Sequence, residues 1–182
     1  PDDSSLELAY AIAKGSEYLA RLTEHGLPAE TINAHMQFSI AISKSYFVEI
    51  AKLRALRLLW ANVMKAYGTP QAPFLAVHFA HETQDDNTNT NMIRASTQAL
   101  SAVIGGADQL YILPANQGRQ EKSTAFTRRI ARNVQHLLKM ESHLHRVIDP
   151  GAGSYYIEKL TEKLAEQAWE QFREMEVKGE FK

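Results

Sequence analysis

The sequence predicts an α/β fold built from parallel strand–helix units that form about half of a TIM-type (β/α)8 barrel. Segments with strand-like alternation are separated by segments with helical periodicity, which is the pattern of βα units on a parallel sheet. Bulky apolar residues are confined to one face of the first two strands. We count four strands, whereas a closed barrel of this type has eight and needs about 250 residues.

Helices and strands alternate along the whole chain. The first helix is closed by Gly26, the next by Gly68 and Pro70, and the third by Gly105 and Gly106, which are common helix stop signals. The predicted strands cover residues 37–43, 74–80, 109–113 and 146–148. The predicted helices cover residues 6–24, 45–67, 89–104, 123–140 and a last segment that begins after Ser154. We expect a single domain over residues 1–182.

The two faces of the first two strands differ in chemical character. One face carries Phe38, Ile40, Ile42, Leu75, Val77 and Phe79, and the other carries Gln37, Ser39, Ala41, Ser43, Ala76, His78 and Ala80. Barrel interiors usually pack Val, Ile and Leu. The small and polar face therefore indicates either a barrel with room along its axis or an incomplete sheet with one side open to solvent. These residues alone leave both interpretations open. A small doubly wound α/β domain is the alternative fold, although no Gly-rich turn follows the first strand.

Composition excludes several classes of function. The 182 residues carry a net charge of −1 without a concentrated run of Lys and Arg, which argues against nucleic acid and anionic membrane as partners. No apolar run approaches the ~20 residues of a membrane-spanning helix. The chain has no cysteine, which excludes disulfides and thiolate chemistry and fits a reducing, cytoplasmic location. Because the chain starts with Pro1, we expect it to be part of a longer protein.

Several stretches, taken in order, are similar to one protein family. They are Glu49-Ile50-Ala51-Lys52-Leu53-Arg54-Ala55, Arg129-Ile130-Ala131-Arg132-Asn133-Val134-Gln135, and Val147-Ile148-Asp149-Pro150 with the following Gly153-Ser154-Tyr155-Tyr156. The first two are long enough to be specific, unlike a lone glycine motif. The chain thus resembles the substrate-binding barrel of the adenosylcobalamin-dependent acyl-CoA mutases, methylmalonyl-CoA mutase above all, over nearly its whole length.

The resemblance implies a fold, a reaction and a cofactor. In that family acyl-CoA threads a barrel axis lined by small polar side chains, and a separate cobalamin domain caps the barrel. The reaction is the radical interconversion of methylmalonyl-CoA and succinyl-CoA, in which the cofactor does the hard chemistry. The D-x-H-x-x-G motif, which supplies the lower histidine ligand of cobalt, occurs nowhere in this sequence. The resemblance therefore implies adenosylcobalamin for the parent complex and none bound by this chain alone.

The resemblance also implies a short list of substrate-binding positions. His35 and Gln37 stand where catalytic members have an Arg and a Ser that hold CoA, and a near-neutral imidazole cannot replace a permanent guanidinium. His81 matches the family's H-x-Q-T run, which implies either a contact with acyl-CoA or a solvated loop histidine. The loop after Thr83 is shorter than in the family. The family's substrate-handling Tyr, Gln, Arg and His lie upstream of the matched region, so no catalytic residue is expected here.

Other polar clusters have ordinary structural interpretations. His78 with His81, and His143 with His145, lack the further ligands of a metal site, and we expect no metal. The turn at residues 149–154 suggests either an anion cradle or a simple helix cap by Ser154. The charged residues of the second long helix are expected on its solvent face, with a subunit contact as the alternative; they are Glu49, Lys52, Arg54 and Arg57.

The sequence leaves two interpretations of the chain's function open. The chain is either a segment of the small, non-catalytic mutase subunit that supports its catalytic partner, or a segment of a catalytic barrel that binds acyl-CoA when joined to its missing half. His35, Gln37 and the shortened loop favour the first. Either way the chain alone is expected to be inactive and to need a homologous subunit or the rest of its barrel as partner.

Overall fold

The computed structural model describes residues 3–117 and 121–179, which form an α/β fold. The helices are α1 (Ser4–Glu24), α2 (Ala29–His35), α3 (Tyr46–Ala66), α4 (Thr88–Ile104), α5 (Ala125–His136) and α6 (Tyr155–Lys178). The strands are β1 (Gln37–Ile42), β2 (Phe74–Phe79) and β3 (Gln109–Tyr111). The chain divides into two compact units. The first unit contains the described parts of residues 1–38, 51–74 and 153–182. The second unit contains the described parts of residues 39–50 and 75–152.

The strands form one parallel sheet in the order β1-β2-β3. β2 and β3 pair in parallel with Ala76 opposite Gln109 and His78 opposite Tyr111. The alternation that the sequence predicts is confirmed in the first two strands, because Ile40, Ile42, Leu75, Val77 and Phe79 are all buried. The parallel α/β class is therefore correct.

The expected fourth strand at residues 146–148 is wrong. Leu144–Arg146 form a single 3-10 turn instead, and Ile148 is 98% exposed. The backbone adopts left-handed conformations at His143 (φ 53°) and Asp149 (φ 47°), which turn the chain on both sides of the short apolar run. A strand is stabilised by backbone pairing and side-chain packing, and Ile148 has no packing to contribute.

The sequence pattern also missed α2. This helix has only seven residues, begins after Pro28 without a side-chain cap, and buries just Ile32 and Asn33. So short a segment carries almost no periodic signal. Its role is to place Asn33 in the core of the first unit, where it accepts a 2.7 Å hydrogen bond from the indole Nε1 of Trp60.

Charged residues of α3 hold the first unit together, contrary to their expected place on the solvent face. Lys52 is 3% exposed, and its Nζ lies 2.9 Å from Glu7 Oε2 on α1. Arg54 Nη2 lies 2.9 Å from Glu158 Oε1 on α6. The spacing of the charges in the sequence does not predict these ion pairs. Both α1 and α6 contact α3, so little of the α3 surface is exposed to solvent.

Candidate functional site

Polar residues in the turn after β1 are fixed by the fold. The Ser43 hydroxyl donates a 2.6 Å hydrogen bond to Glu49 Oε1 and accepts a 3.2 Å bond from the backbone N–H of Ser45. Glu49 is only 1% exposed and lies in the first turn of α3, where the helix dipole favours a negative charge. Ser43, which the sequence places on the small and polar face of the first strand, is therefore engaged in shaping the turn.

The Gln98 side chain ties α4 to the ends of two strands. Its Nε2 lies 3.3 Å from the carbonyl oxygen of Ile42, 3.2 Å from that of Ser43 and 3.2 Å from Thr83 Oγ1. Gln98 is buried, and three acceptors around one amide nitrogen fix its orientation. Sequence reasoning missed this residue. The signal that could have found it is a carboxamide on the helix face that buries Ala95 and Ala102, a face that Asn91 shares.

His81 is the exposed first residue of a 3-10 turn, His81–Thr83, that follows β2. The backbone of this turn is rigidly held. The Thr83 hydroxyl donates a 2.6 Å bond to the carbonyl oxygen of Ala80, and Arg94 Nη1 donates a 3.1 Å bond to the carbonyl oxygen of Thr83. The imidazole of His81 is thus exposed to solvent on a turn whose backbone is rigid.

The loop after this turn is closed by Asn91. Its Nδ2 donates to the carbonyl oxygens of Asp85 at 2.7 Å and Ala115 at 2.8 Å, and its Oδ1 accepts a 2.7 Å bond from the Asp85 backbone N–H. The backbone N–H of Asn87, with smaller help from Arg94, holds the pKa of Asp85 below its usual value. The loop is a compact polar turn rather than a substrate-sized opening.

Asn116 follows β3 and is also committed to the fold. Its Nδ2 donates a 3.1 Å bond to the carbonyl oxygen of Lys122, and its Oδ1 accepts a 2.9 Å bond from the Thr127 hydroxyl. The side chain is 6% exposed. Because its polar atoms are satisfied internally, Asn116 stabilises the start of α5.

A row of polar side chains crosses the open face of the sheet. Ser39 on β1 places its Oγ 3.4 Å from Nδ1 of His78 on β2, and His78 pairs in register with Tyr111 on β3. Ser39 and Tyr111 are exposed, and the neighbouring Ala76 is small and half-buried. The open face of the second unit can therefore donate and accept hydrogen bonds along three adjacent strands.

The three residues that the sequence assigns to substrate binding are divided between the two units. His35, at the end of α2, is exposed, and its Nδ1 donates a 2.8 Å bond to the carbonyl oxygen of Thr31. Gln37 is the exposed first residue of β1. Both belong to the first unit and His81 to the second, so neither unit contains all three.

The turn before α6 does not offer a free anion site. The Gly153 backbone N–H donates a 3.1 Å bond to Glu158 Oε1 of the same helix. The hydrogen bond from Arg54, followed by that from Gly153, holds the pKa of Glu158 below its usual value. The chain's own carboxylate thus occupies this position. Ser154 is the N-cap residue but makes no side-chain capping bond.

Residues 3–117 and 121–179 contain neither a metal-binding cluster nor a membrane-spanning helix. No group of three or more His, Cys, Asp or Glu side chains there is arranged to hold a metal ion; the rings of His143 and His145 lie 6.3 Å apart. In the same part of the chain, no helix has the length and apolarity needed to cross a bilayer.

The fold and the site define an α/β protein whose parallel sheet has an apolar face under helices and a small, polar open face. The family model for methylmalonyl-CoA mutase matches residues 2–181. The chain belongs to the methylmalonyl-CoA mutase family, as the sequence resemblance implies.

Named relatives refine this assignment. The chain is 42% identical over 181 residues to the methylmalonyl-CoA mutase small subunit of Porphyromonas gingivalis, covering 96% of this chain and 29% of that protein. It is 42% identical over 174 residues to the small subunit of Streptomyces virginiae, covering 93% and 28%. The large subunit of Streptomyces virginiae is 37% identical over 181 residues, covering 97% and 25%. The chain therefore spans less than a third of the length of these relatives.

Proposed function

We propose that this chain is a segment of the small, non-catalytic subunit of a methylmalonyl-CoA mutase and that it supports a catalytic subunit. The observation that carries the proposal is the match over nearly the whole chain to proteins named as small subunits, at 42% identity. The large subunit of the same Streptomyces species matches at 37%. In this proposal the parent complex interconverts methylmalonyl-CoA and succinyl-CoA, and the chain alone is inactive.

The polar turns at the ends of the strands support a scaffolding role. Three polar side chains there form hydrogen bonds with neighbouring backbone or side-chain groups of the same chain, namely those of Ser43, Gln98 and Asn116. Catalytic groups must be directed at substrate from a supporting shell. Here these side chains support the backbone instead, and they stiffen the carboxyl ends of the strands.

We also propose that the three-stranded sheet is part of a (β/α)8 barrel. β1 and β3 are the two edges of a three-stranded sheet, and an exposed parallel edge is normally covered in a native protein. The remaining strands of a (β/α)8 barrel would pair with these edges. Residues 1–182 then contribute about half of that barrel as one domain, and the open face with Ser39 and His78 lines its axis.

Substrate contact is confined in this proposal to the barrel edge and mouth. In this proposal His81 touches acyl-CoA in the parent complex, and the exposure of its imidazole on a rigid turn supports such a contact. His35 and Gln37 occupy the family's CoA-holding positions. The His35 ring already donates to the carbonyl oxygen of Thr31, and an imidazole lacks the permanent charge and the fork of donors that a guanidinium offers to CoA phosphates. Weak retention of CoA by the chain alone follows.

The residues of this chain do not fit adenosylcobalamin. The lower-ligand motif D-x-H-x-x-G is missing. His78, on the open sheet face, is bonded to Ser39, and His143 and His145 lie in an exposed turn. We therefore assign the cofactor to the parent complex.

The lack of cysteine, which suits a reducing compartment, supports a cytoplasmic location for that complex.

Two titrations test the proposal. Adenosylcobalamin added to the chain should give no absorption change of the kind that follows histidine coordination to cobalt, whereas a catalytic subunit should. Calorimetric titration with methylmalonyl-CoA should give weak binding or none. A micromolar affinity that is lost in His81→Ala and kept in the control His145→Ala would instead assign substrate capture to this chain and contradict the scaffolding role.

A further inference from the structure

A cavity of about 400 Å³ lies at the carboxyl end of β3, within the second unit. Tyr111, the last residue of that strand, lines it together with Ile112 and Pro114 of the segment that follows. Ligands of parallel α/β sheets bind outside the carboxyl ends of the strands, and cavities of about 300–1,000 Å³ hold small molecules. The position and the size of this cavity therefore suit a small-molecule ligand.

Part of the cavity wall is apolar and closed to solvent. Ile112 and Ala131 are 4% and 8% exposed, and Pro114 is also buried. Tyr111 is 56% exposed, so its ring lies at the opening of the cavity. A small-molecule site is lined mainly by apolar side chains, with a few polar groups that fix the ligand. This wall is suited to the apolar part of a ligand.

The polar part of the lining comes from one side of α5. Arg128, Arg132 and Gln135 all line the cavity, and at 3.6 residues per turn their positions fall within about 60° around the helix axis. Each of these side chains carries N–H donors. The described residues that line the cavity include no Asp or Glu. Two guanidinium groups without a carboxylate give the cavity a positive potential, which attracts an anion.

The positive charge of α5 is not balanced within the helix. The stretch Ala125–His136 contains three arginines and no Asp or Glu, and like charges four residues apart, such as Arg128 and Arg132, repel each other. Nη1 of Arg128 donates to the carbonyl oxygen and to Oγ of Ser123 at 2.6 Å and 3.0 Å. These bonds hold the guanidinium in place, which reduces the conformational entropy lost when a ligand binds.

We propose that this cavity binds a small phosphate monoester. Its phosphate lies between Arg128 and Arg132, and its apolar part lies against Ile112 and Pro114. A phosphate monoester carries a charge of about −2 near pH 7, which two guanidinium groups balance, and arginine binds phosphate through pairs of parallel N–H···O bonds. A carboxylate carries a single charge and leaves one guanidinium unbalanced. The supporting role under the proposed function does not require this site.

Calorimetric titration of the chain with phenyl phosphate tests the proposal, at low ionic strength because salt screens exposed charges. We expect saturable binding that Arg132→Gln weakens roughly tenfold, since charge-assisted hydrogen bonds to the phosphate are lost. The matched control is Arg129→Gln, which removes the same charge from the next position of α5. The Arg129 guanidinium lies over the Phe126 ring, 5.7 Å from its centroid, so this variant should keep the affinity. Both arginines are exposed, and circular dichroism should show the same helix content in both variants.

Phenol and benzoate serve as further probes, because they share the ring of phenyl phosphate but differ in charge. Phenol should not bind measurably, and benzoate should bind roughly tenfold more weakly than phenyl phosphate, since it engages one guanidinium instead of two. Equal affinity for phenol would indicate a purely apolar cavity, and equal affinity for benzoate a site for monoanions. Equal losses in Arg129→Gln and Arg132→Gln would indicate diffuse attraction to the helix. Each of these results, or a lack of saturable binding, would overturn the proposal. Phenyl phosphate contains no CoA, so the outcome is independent of the mutase assignment.

Discussion

The indole nitrogen Nε1 of Trp60 donates a 2.7 Å hydrogen bond to Oδ1 of Asn33 in the core of the first unit. Asn33 in turn donates from Nδ2 to Oε1 of Gln71 at 2.9 Å. Trp60 is fully buried. One carboxamide therefore links α2, α3 and the segment that leads into β2.

Replacing Asn33 by Ala should destabilise the chain by about 1–3 kcal/mol, because the buried N–H of Trp60 loses its acceptor. Urea unfolding monitored by tryptophan fluorescence and circular dichroism measures the loss. In a Trp60→Phe background the same Asn33→Ala substitution should cost less, since no donor is left unpaired. An equal cost in both backgrounds would show that this hydrogen bond is not responsible.

Gly15 on α1 marks a close approach of helix and core. A Cβ atom at this position would lie 2.8 Å from Cζ3 of Trp60 and 2.9 Å from Cζ of Phe38. Gly15→Ala should therefore cost about 1–3 kcal/mol through overpacking, even though Ala in a helix normally gains up to ~1 kcal/mol over Gly. The control Ser16→Ala, one residue further on, should change stability by less than about 0.5 kcal/mol. A stabilised Gly15→Ala protein would mean that the two rings move aside.

The Lys52–Glu7 ion pair should respond unequally to loss of either partner. Glu7→Gln removes the carboxylate charge that lies 2.9 Å from the nearly inaccessible ammonium of Lys52, so we expect a loss of about 1–3 kcal/mol. Lys52→Met leaves Glu7, whose side chain is 38% exposed, with access to water and replaces a buried charge by a side chain of similar volume. Its cost should be smaller. Thermal unfolding of both variants decides this, and a larger loss for Lys52→Met would contradict the burial pattern.

Glu158 should make stability depend on pH in the acid range. Its folded pKa is lowered, first by the hydrogen bond from Arg54 and then by that from Gly153. The stabilisation is therefore present above the unfolded pKa of about 4.3 and is lost as the pH falls through the lower folded pKa. The difference in unfolding free energy between the unmodified chain and Glu158→Gln should shrink below about pH 4. Glu162→Gln, which affects an exposed pair with Lys159, should show much less of this trend.

Local patterns in the sequence predict the elements whose signals are regular. β1 and β2 follow from the alternation of bulky and small residues, and α1 from its periodicity and the stop at Gly26. The segment at residues 146–148 fails because strand propensity does not provide a pairing partner, and the left-handed backbone at His143 and Asp149 is not visible in the apolar run. Pairing depends on the rest of the fold.

The candidate site residues divide in the same way, into those placed by a local sequence pattern and those placed by tertiary packing. The position of His81 just after β2 follows from the sequence because the strand and its end are predictable, whereas its contact with acyl-CoA stays a prediction. Gln98 and Asn91 lie on α4 and act on distant backbone atoms, such as the carbonyl oxygens of Ile42 and Ala115. Such contacts depend on tertiary packing, and a helix sequence shows only that a polar side chain occupies an inward position.

Sedimentation velocity of this chain mixed with a catalytic methylmalonyl-CoA mutase subunit tests the supporting role most directly. We expect a heteromeric complex that sediments faster than either component, with no isomerisation of methylmalonyl-CoA when the catalytic subunit is omitted and adenosylcobalamin is present. A chain that sediments independently of the catalytic subunit, and that converts methylmalonyl-CoA by itself, would contradict the proposed function.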